Sequence, residues 1–359
     1  MPFTFVIPPR LLPTVCRHTV DSPAVHDAHT LLPPSGGDET LPGGGPPSCL
    51  VDDAFPDMAR VSYCVRVQVL RRRDSGARPQ VLADSVRKVR VIPTGQEEDQ
   101  RAGDSLSPPS YQNVPGSTPP APAPLRKEKD IRKGMFLRGK LGRVVVQVEQ
   151  PPNPIRLKTQ GPSQGTVIPV TLTFTPPAGK DYPPPKLNTL KAKLKIATFF
   201  SHSPMSSIPK ISCPHRPDPT IHRYAESITL SSRCMQAAKW TREPYPPTPT
   251  PTPEEGQQSR LYKTAITVPI DPPPKKFLVP TFASCLAARS YSIKIDVEFE
   301  AAPQQRRYYC YSPSVSINVP LLVEASQAPQ TTAAGPPGYS RAAPTASAEE
   351  DAGLRPPLR

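Results

Sequence analysis

Tyr291-Ser-Ile-Lys-Ile-Asp-Val-Glu-Phe299 alternates without a break: Tyr291, Ile293, Ile295, Val297 and Phe299 are apolar, and Ser292, Lys294, Asp296 and Glu298 are polar. Successive side chains of a strand point to opposite faces, so this run reads as a β-strand with one row on a core and one row in water. Working outward, Val61, Tyr63, Val65, Val67 and Val69 alternate with Ser62, Cys64, Arg66 and Gln68. Leu190, Ala192, Leu194 and Ile196 alternate in the same way with Lys191, Lys193 and Lys195. Weaker strand signals lie at 86–92, 144–148, 167–174, 227–230, 262–268 and 315–323. About nine or ten strands of this kind imply an all-β protein whose antiparallel sheets pack as sandwiches. No segment carries a long stripe of period 3.6 with caps, so no long helix is expected.

Composition points the same way. Of 359 residues, 55 are proline and 19 glycine. Proline removes a helix hydrogen bond and clashes with the preceding turn, which excludes a helix-rich chain. Hydrophobic residues still reach 36%, enough for a core. Three stretches, 94–124, 241–259 and 324–359, are rich in proline, serine, threonine and alanine, a composition that cannot bury enough apolar surface to offset ordering entropy. The expected organisation is a partial N-terminal sandwich over 1–93, a disordered linker over 94–125, a C-terminal sandwich over 126–323 with a proline-rich loop at 241–259, and a disordered tail over 324–359. Seven scattered cysteines without a C-x-x-C pair argue for reduced thiols. The first residues have no basic n-region, and nowhere do about 18 apolar residues run together, so the expectation is a cytoplasmic protein with peripheral membrane contact at most.

Two short motifs fall in the proline-rich stretches. Pro108-Pro109-Ser110-Tyr111 and Pro336-Pro337-Gly338-Tyr339 both have the form P-P-x-Y, the ligand of WW domains. A polyproline II turn offers two proline rings to an aromatic groove at low entropic cost, and the tyrosine fills a second pocket. Shuffling this composition gives about 0.26 such motifs, so a pair exceeds chance.

The remaining sequence resembles the fungal arrestin-like proteins, the alpha-arrestins. The resemblance is carried by Phe3-Thr-Phe-Val-Ile-Pro-Pro-Arg-Leu11, Cys16-Arg-His18, His29-Thr-Leu-Leu-Pro-Pro-Ser35, Ala59-Arg-Val-Ser-Tyr-Cys-Val-Arg-Val-Gln-Val69, Ile131-Arg-Lys-Gly-Met-Phe-Leu137 and Val279-Pro-Thr-Phe-Ala-Ser-Cys-Leu-Ala-Ala-Arg-Ser-Tyr291. It covers roughly residues 1–323 as diffuse patterns and implies two β-sandwiches in tandem. Members of that family usually have several strands before the stretch matching Phe3–Ile7, so the first sandwich is expected to be incomplete. The resemblance further implies a trafficking adaptor whose P-P-x-Y motifs recruit WW domains of a HECT-type ubiquitin ligase to membrane transporters or receptors, triggering endocytosis. The recruiting positions would be Pro108, Pro109, Tyr111, Pro336, Pro337 and Tyr339. The other reading is an arrestin-fold scaffold in sorting or signalling, with the proline segments as passive spacers.

A basic run, Arg126, Lys127, Lys129, Arg132, Lys133, Arg138, Lys140 and Arg143, is a candidate contact for anionic membrane or an acidic cargo tail, against the plainer reading of a solvated strand face. Lys191, Lys193 and Lys195 read first as a wet face. Cys213, His215, His222 and Cys234, with His202, lack the paired-ligand spacing of structural zinc sites and read as loop histidines and buried strand cysteines. No metal or other cofactor is expected. No H-E-x-x-H, Walker or G-x-G-x-x-G motif occurs, so the expectation is an adaptor and not an enzyme. The net charge of +14 suits anionic partners, but aromatics at 6% and the lack of a zinc-finger or helix-turn-helix pattern argue against nucleic acid.

Overall fold

A computed structural model describes residues 6–37, 52–71, 79–94, 124–133, 139–149, 155–157, 165–177, 180, 182–209, 211, 218–244, 260–274, 276–300 and 313–325. Met1–Gln327 gather into one compact unit and Ala328–Arg359 into a second, which lies outside the described residues. The strands of the first unit, in chain order, are β1 (Tyr63–Arg71), β2 (Gln80–Val89), β3 (Leu125–Lys133), β4 (Gly139–Val148), β5 (Ile155–Leu157), β6 (Thr166–Thr175), β7 (Leu187–Ser201), β8 (Ile221–Cys234), β9 (Thr241–Pro244), β10 (Arg260–Ile270), β11 (Phe282–Ala283), β12 (Ala287–Phe299), β13 (Ser314–Leu321) and β14 (Val323–Ala325).

Two sheets form the sandwich. One runs β3-β4-β6-β10-β9; the other runs β11-β12-β7-β8, with β13 also on β12. All these pairings are antiparallel. The apolar rows meet in one core: Val144, Val146 and Val148 from β4, Ile168, Leu172 and Phe174 from β6, Leu190, Leu194 and Ile196 from β7, and Ile293, Ile295, Val297 and Phe299 from β12. Gly142 belongs to this packing, because a Cβ there would sit 2.4 Å from the Phe174 ring. Among the described residues of 1–93, β1 and β2 pair as a two-stranded sheet of their own.

The structure departs from the sequence reading in several places. The polar row of Tyr291–Phe299 is not in water throughout, since Ser292 is 2% exposed and Asp296 9%. β12 lies between β7 on one side and β13 on the other, and Asp296 is held in that central position by Lys294 Nζ at 2.9 Å and by the hydroxyl of Ser316 on β13. Thr241–Pro244, expected in a proline-rich loop, pair as β9 with β10. Trp240, just before them, donates from Nε1 to the Pro185 carbonyl at 3.0 Å and meets Phe174 edge-on, which delivers the chain to the sheet. β14 reaches into the expected tail and pairs with β5, a parallel ladder among antiparallel ones. A short helix, α1 (Pro23–Thr30), spans only two turns, too short to show a helical period in the sequence. Proline at its start is pre-set for helical φ, and Val25, Ala28 and His29 recur at helical spacing and are buried.

The N-terminal chain grips the end of the β7–β12 sheet from both faces. On the outer face, Ala28 of α1 packs with Ala197, Phe199, Met205, Ala283 and Ala288 in a second small core. On the inner face stands Arg289, 1% exposed, next in register to Thr198. Its guanidinium donates to the Ala54 carbonyl at 2.9 Å, to the Asp53 carbonyl and to Thr198 Oγ1. It also lies over the rings of Phe55 (4.5 Å) and Tyr291 (5.7 Å), and Tyr291 in turn donates to the Val279 carbonyl at 2.5 Å. Ala54 adopts φ +56°, a left-handed conformation costing an L-residue about 1–2 kcal/mol. It is held there from both ends: its N–H donates to Asp52 Oδ1 and its carbonyl accepts from Arg289. Lys276 completes the clamp, bridging Asp52 at 3.0 Å and Glu226 of β8.

Arg289→Met keeps most of the side-chain volume but removes every donor. Each buried acceptor stranded this way costs about 1–3 kcal/mol. A loss of about 3 kcal/mol or more is expected in urea unfolding, together with protease cleavage near residues 52–55 under native conditions.

Candidate functional site

Both P-P-x-Y motifs, Pro108, Pro109 and Tyr111 and Pro336, Pro337 and Tyr339, lie outside the described residues, as does Arg138. Within the described residues, the basic run folds as the β3–β4 hairpin at the edge of its sheet. Strand alternation splits its cations between two faces. Lys127 and Lys129 share a face with Ile131, whose side chain is buried in the core, and Lys129 Nζ reaches the Ser314 carbonyl on β13 at 2.6 Å. Arg126 faces outward with Glu128 and Asp130.

That outward face is charge-compensated. Arg126 pairs with Glu128 at 2.6 Å, and Lys140 pairs with Asp130 at 3.0 Å. Arg143, opposite Asp130 in register, contacts both Glu128 and Asp130 at 3.3 Å. The hydrogen bond from Lys140, then that from Arg143, hold the Asp130 carboxyl below its usual range. Two carboxylates that look outnumbered in the sequence thus engage three of the cations. Among the described residues, Lys127 and Arg132 are exposed and take no carboxylate partner. Lysine and arginine on an exposed edge also blunt edge-to-edge pairing, which is a structural reason for them. Lys191, Lys193 and Lys195 are half-buried on β7, and Lys191 pairs with Glu298 at 2.8 Å.

Of the histidines and cysteines that the sequence placed together, Cys213 and His215 lie outside the described residues. Cys234 is exposed and not buried, because β8 ends its sheet and turns that residue outward. His222 stacks on Phe200 at 5.4 Å and meets His202 edge-on, an aromatic cluster on the β7–β8 surface.

A different cluster, invisible to sequence spacing, forms where the N-terminal chain crosses the β11–β12 turn. Cys16, His18, His29 and Cys285 bring one ligand atom each to within 4.8 Å of one another. Cys16 Sγ lies 3.3 Å from His18 Nε2 and 3.8 Å from His29 Nδ1. Burial first, then the neighbouring His18 and His26, push His29 down to about 4, so its ring is neutral at pH 7. Burial and the adjacent Cys16 push the Cys285 thiol up to about 11. No signal in the sequence joins residue 285 to residues 16–29, because only the tertiary fold brings them together.

Compared with known families, residues 251–324 match the family model described as the Bul1 C terminus, from an arrestin-related family of ubiquitin-ligase adaptors. The match runs from ahead of β10 into β14 and contains Cys285 and Arg289. Those proteins are adaptors rather than enzymes. No curated protein matches the chain.

Two outcomes follow from the compensated hairpin. Glu128→Gln with Asp130→Asn frees three cations, each worth about 1 kcal/mol near an anionic surface, so cosedimentation with phosphatidylserine vesicles rises several-fold over the parent. A depressed carboxyl stabilises the fold above its unfolded pKa and loses that contribution as pH falls through the folded value. Carbon-detected NMR titration is therefore expected to place Asp130 below the usual carboxylate range, and Lys140→Met to move its midpoint up.

Proposed function

We propose that this chain is an adaptor that recruits a WW-domain, HECT-type ubiquitin ligase to a membrane transporter or receptor, so that the cargo is ubiquitinated and endocytosed. The match of residues 251–324 to an arrestin-related family of ligase adaptors carries the proposal. The two P-P-x-Y sequences supply the chemistry of recruitment: Pro108 and Pro109, and Pro336 and Pro337, offer proline rings to an aromatic groove, while Tyr111 and Tyr339 fill the neighbouring pocket. The division of labour is then simple. The sandwich holds cargo, and the motifs hold the ligase.

Two motifs on one chain make the second contact intramolecular. Linkage of this kind raises avidity by about 10²–10⁴ over either contact alone, when both reach the same tandem partner. The adaptor acts in the cytoplasm, at the plasma membrane or endosomes, where cargo tails are exposed. Among the described residues, Lys127 and Arg132 are open to an acidic tail or lipid headgroup, while Arg126, Lys140 and Arg143 already engage carboxylates.

Calorimetry of the full chain against a tandem WW fragment tests the reading. Tyr111→Ala or Tyr339→Ala alone is expected to weaken binding by about 10²-fold, and both together to abolish it. Undiminished binding by the double variant would sink the ligase assignment and leave an arrestin-fold scaffold whose prolines only connect.

A further inference from the structure

The Cys16, His18, His29 and Cys285 cluster has no part in ligase recruitment, yet its chemistry is specific. We propose that these four residues form a structural zinc site that staples the N-terminal chain to the sandwich. Two sulfurs and two imidazole nitrogens are a complete Cys₂His₂ set, the donor combination of closed tetrahedral zinc. With Zn–S of about 2.3 Å and Zn–N of about 2.0–2.1 Å, a tetrahedron has S···N edges of about 3.6 Å. The observed separations from Cys16 Sγ, 3.3 and 3.8 Å, bracket that edge, and all four ligand atoms fall within 4.8 Å of each other. Two of the six ligand separations already match a zinc coordination shell, and the rest close to it within about 1 Å of the longest edge, an S···S distance of about 3.8 Å.

Three further features support a metal over chance packing of polar groups. The His18 ring donates from Nδ1 to the Thr19 carbonyl at 3.1 Å, which selects the tautomer that leaves Nε2 free to ligate. Such a carbonyl behind a histidine is the usual outer support of a metal ligand. His29 is 1% exposed and turns Nδ1 to Cys16, so a buried imidazole is committed to this cluster. The backbone is fixed independently of the ligands. Leu11 N–H donates to the Thr30 carbonyl, Leu32 N–H to the Pro9 carbonyl and Met205 N–H to the Cys285 carbonyl. A further bond, from the Asp21 N–H to the carbonyl of Ser206 beside Met205, ties the N-terminal chain to the loop that carries Cys285 before any ion binds.

Charge balance also fits. Zn²⁺ displaces one proton from each thiol; the protons go to solvent, and two thiolates with two neutral imidazoles leave the occupied site neutral. A neutral unit is what a buried site tolerates. Thiolate and imidazole donors, with no carboxylate among the four, favour zinc over magnesium or calcium. The ion would join residues 16–29 to residue 285, on the outer face of the sheet end whose inner face Arg289 clamps.

The test uses the full chain, purified under reducing conditions without chelator. Elemental analysis is expected to find about one zinc per chain. Stripped protein titrated with Co²⁺ should develop the visible bands of tetrahedral cobalt with thiolate charge transfer. Cys16→Ser with Cys285→Ser should lose both signals, while Cys64→Ser, a cysteine outside the cluster, keeps them. His18→Cys guards against a variant that merely unfolds, because it should still hold one ion with cobalt bands shifted towards a three-sulfur site. Octahedral cobalt spectra in the wild-type chain would overturn the site. So would tetrahedral bands that survive the double serine variant, or a Cys16–Cys285 disulfide found by mass spectrometry in the reduced-purified protein.

Discussion

A guanidinium buried between a β-sheet and a loop is the constraint on which the placement of the N-terminal chain depends. Removing an arginine from water costs several kcal/mol unless its donors are satisfied. Arg289 finds acceptors in the Asp53 and Ala54 carbonyls and in Thr198, and aromatic faces in Phe55 and Tyr291. Two of those acceptors lie about 235 residues away in sequence, so the charge is stable only when the loop is docked. The dependence is mutual. Ala54 keeps its left-handed φ because Arg289 holds its carbonyl and Asp52 holds its N–H.

The same sheet end is addressed on its other face by different chemistry. Ala197, Phe199 and Ala288 face outward by strand alternation and receive Ala28 of α1, and the Cys/His cluster lies beside that contact. Apolar packing is tolerant of small shifts, whereas hydrogen-bonded and ligand geometry is directional. An N-terminal chain held by a directional contact on each face has little freedom to slide. The stretch matching the Bul1 C terminus contains both anchors, Cys285 and Arg289, so the matched segment receives the N-terminal chain as well as completing the sandwich.

Electrostatics shows how a one-dimensional count misleads. The run from Arg126 to Arg143 holds eight cations and two carboxylates in sequence, which reads as a strongly basic patch. Pairing β3 with β4 places Asp130 opposite Arg143 and lets Glu128 and Asp130 engage Arg126, Lys140 and Arg143. Exposed pairs like these add little stability, but they reduce the field seen by an approaching anion. Among the described residues of the run, Lys127 and Arg132 are exposed without a carboxylate partner.

The strands were legible in the sequence because period-two alternation is local: Tyr291, Ile293, Ile295, Val297 and Phe299 need no knowledge of their neighbours to be read as an inward row. The all-β sandwich follows from the number of such rows and from proline's exclusion of helices. The P-P-x-Y motifs are likewise local, since four consecutive residues carry the whole recognition chemistry. The sequence could not reveal that Ser292 and Asp296 would be buried, since that depends on β12 lying between two strands. It could not pair Glu128 and Asp130 with Arg143, or bring Cys285 to Cys16, His18 and His29. Those are distances in space between residues far apart along the chain. Alternation and composition determine which residues turn inward; only the closed sheets decide which of them meet.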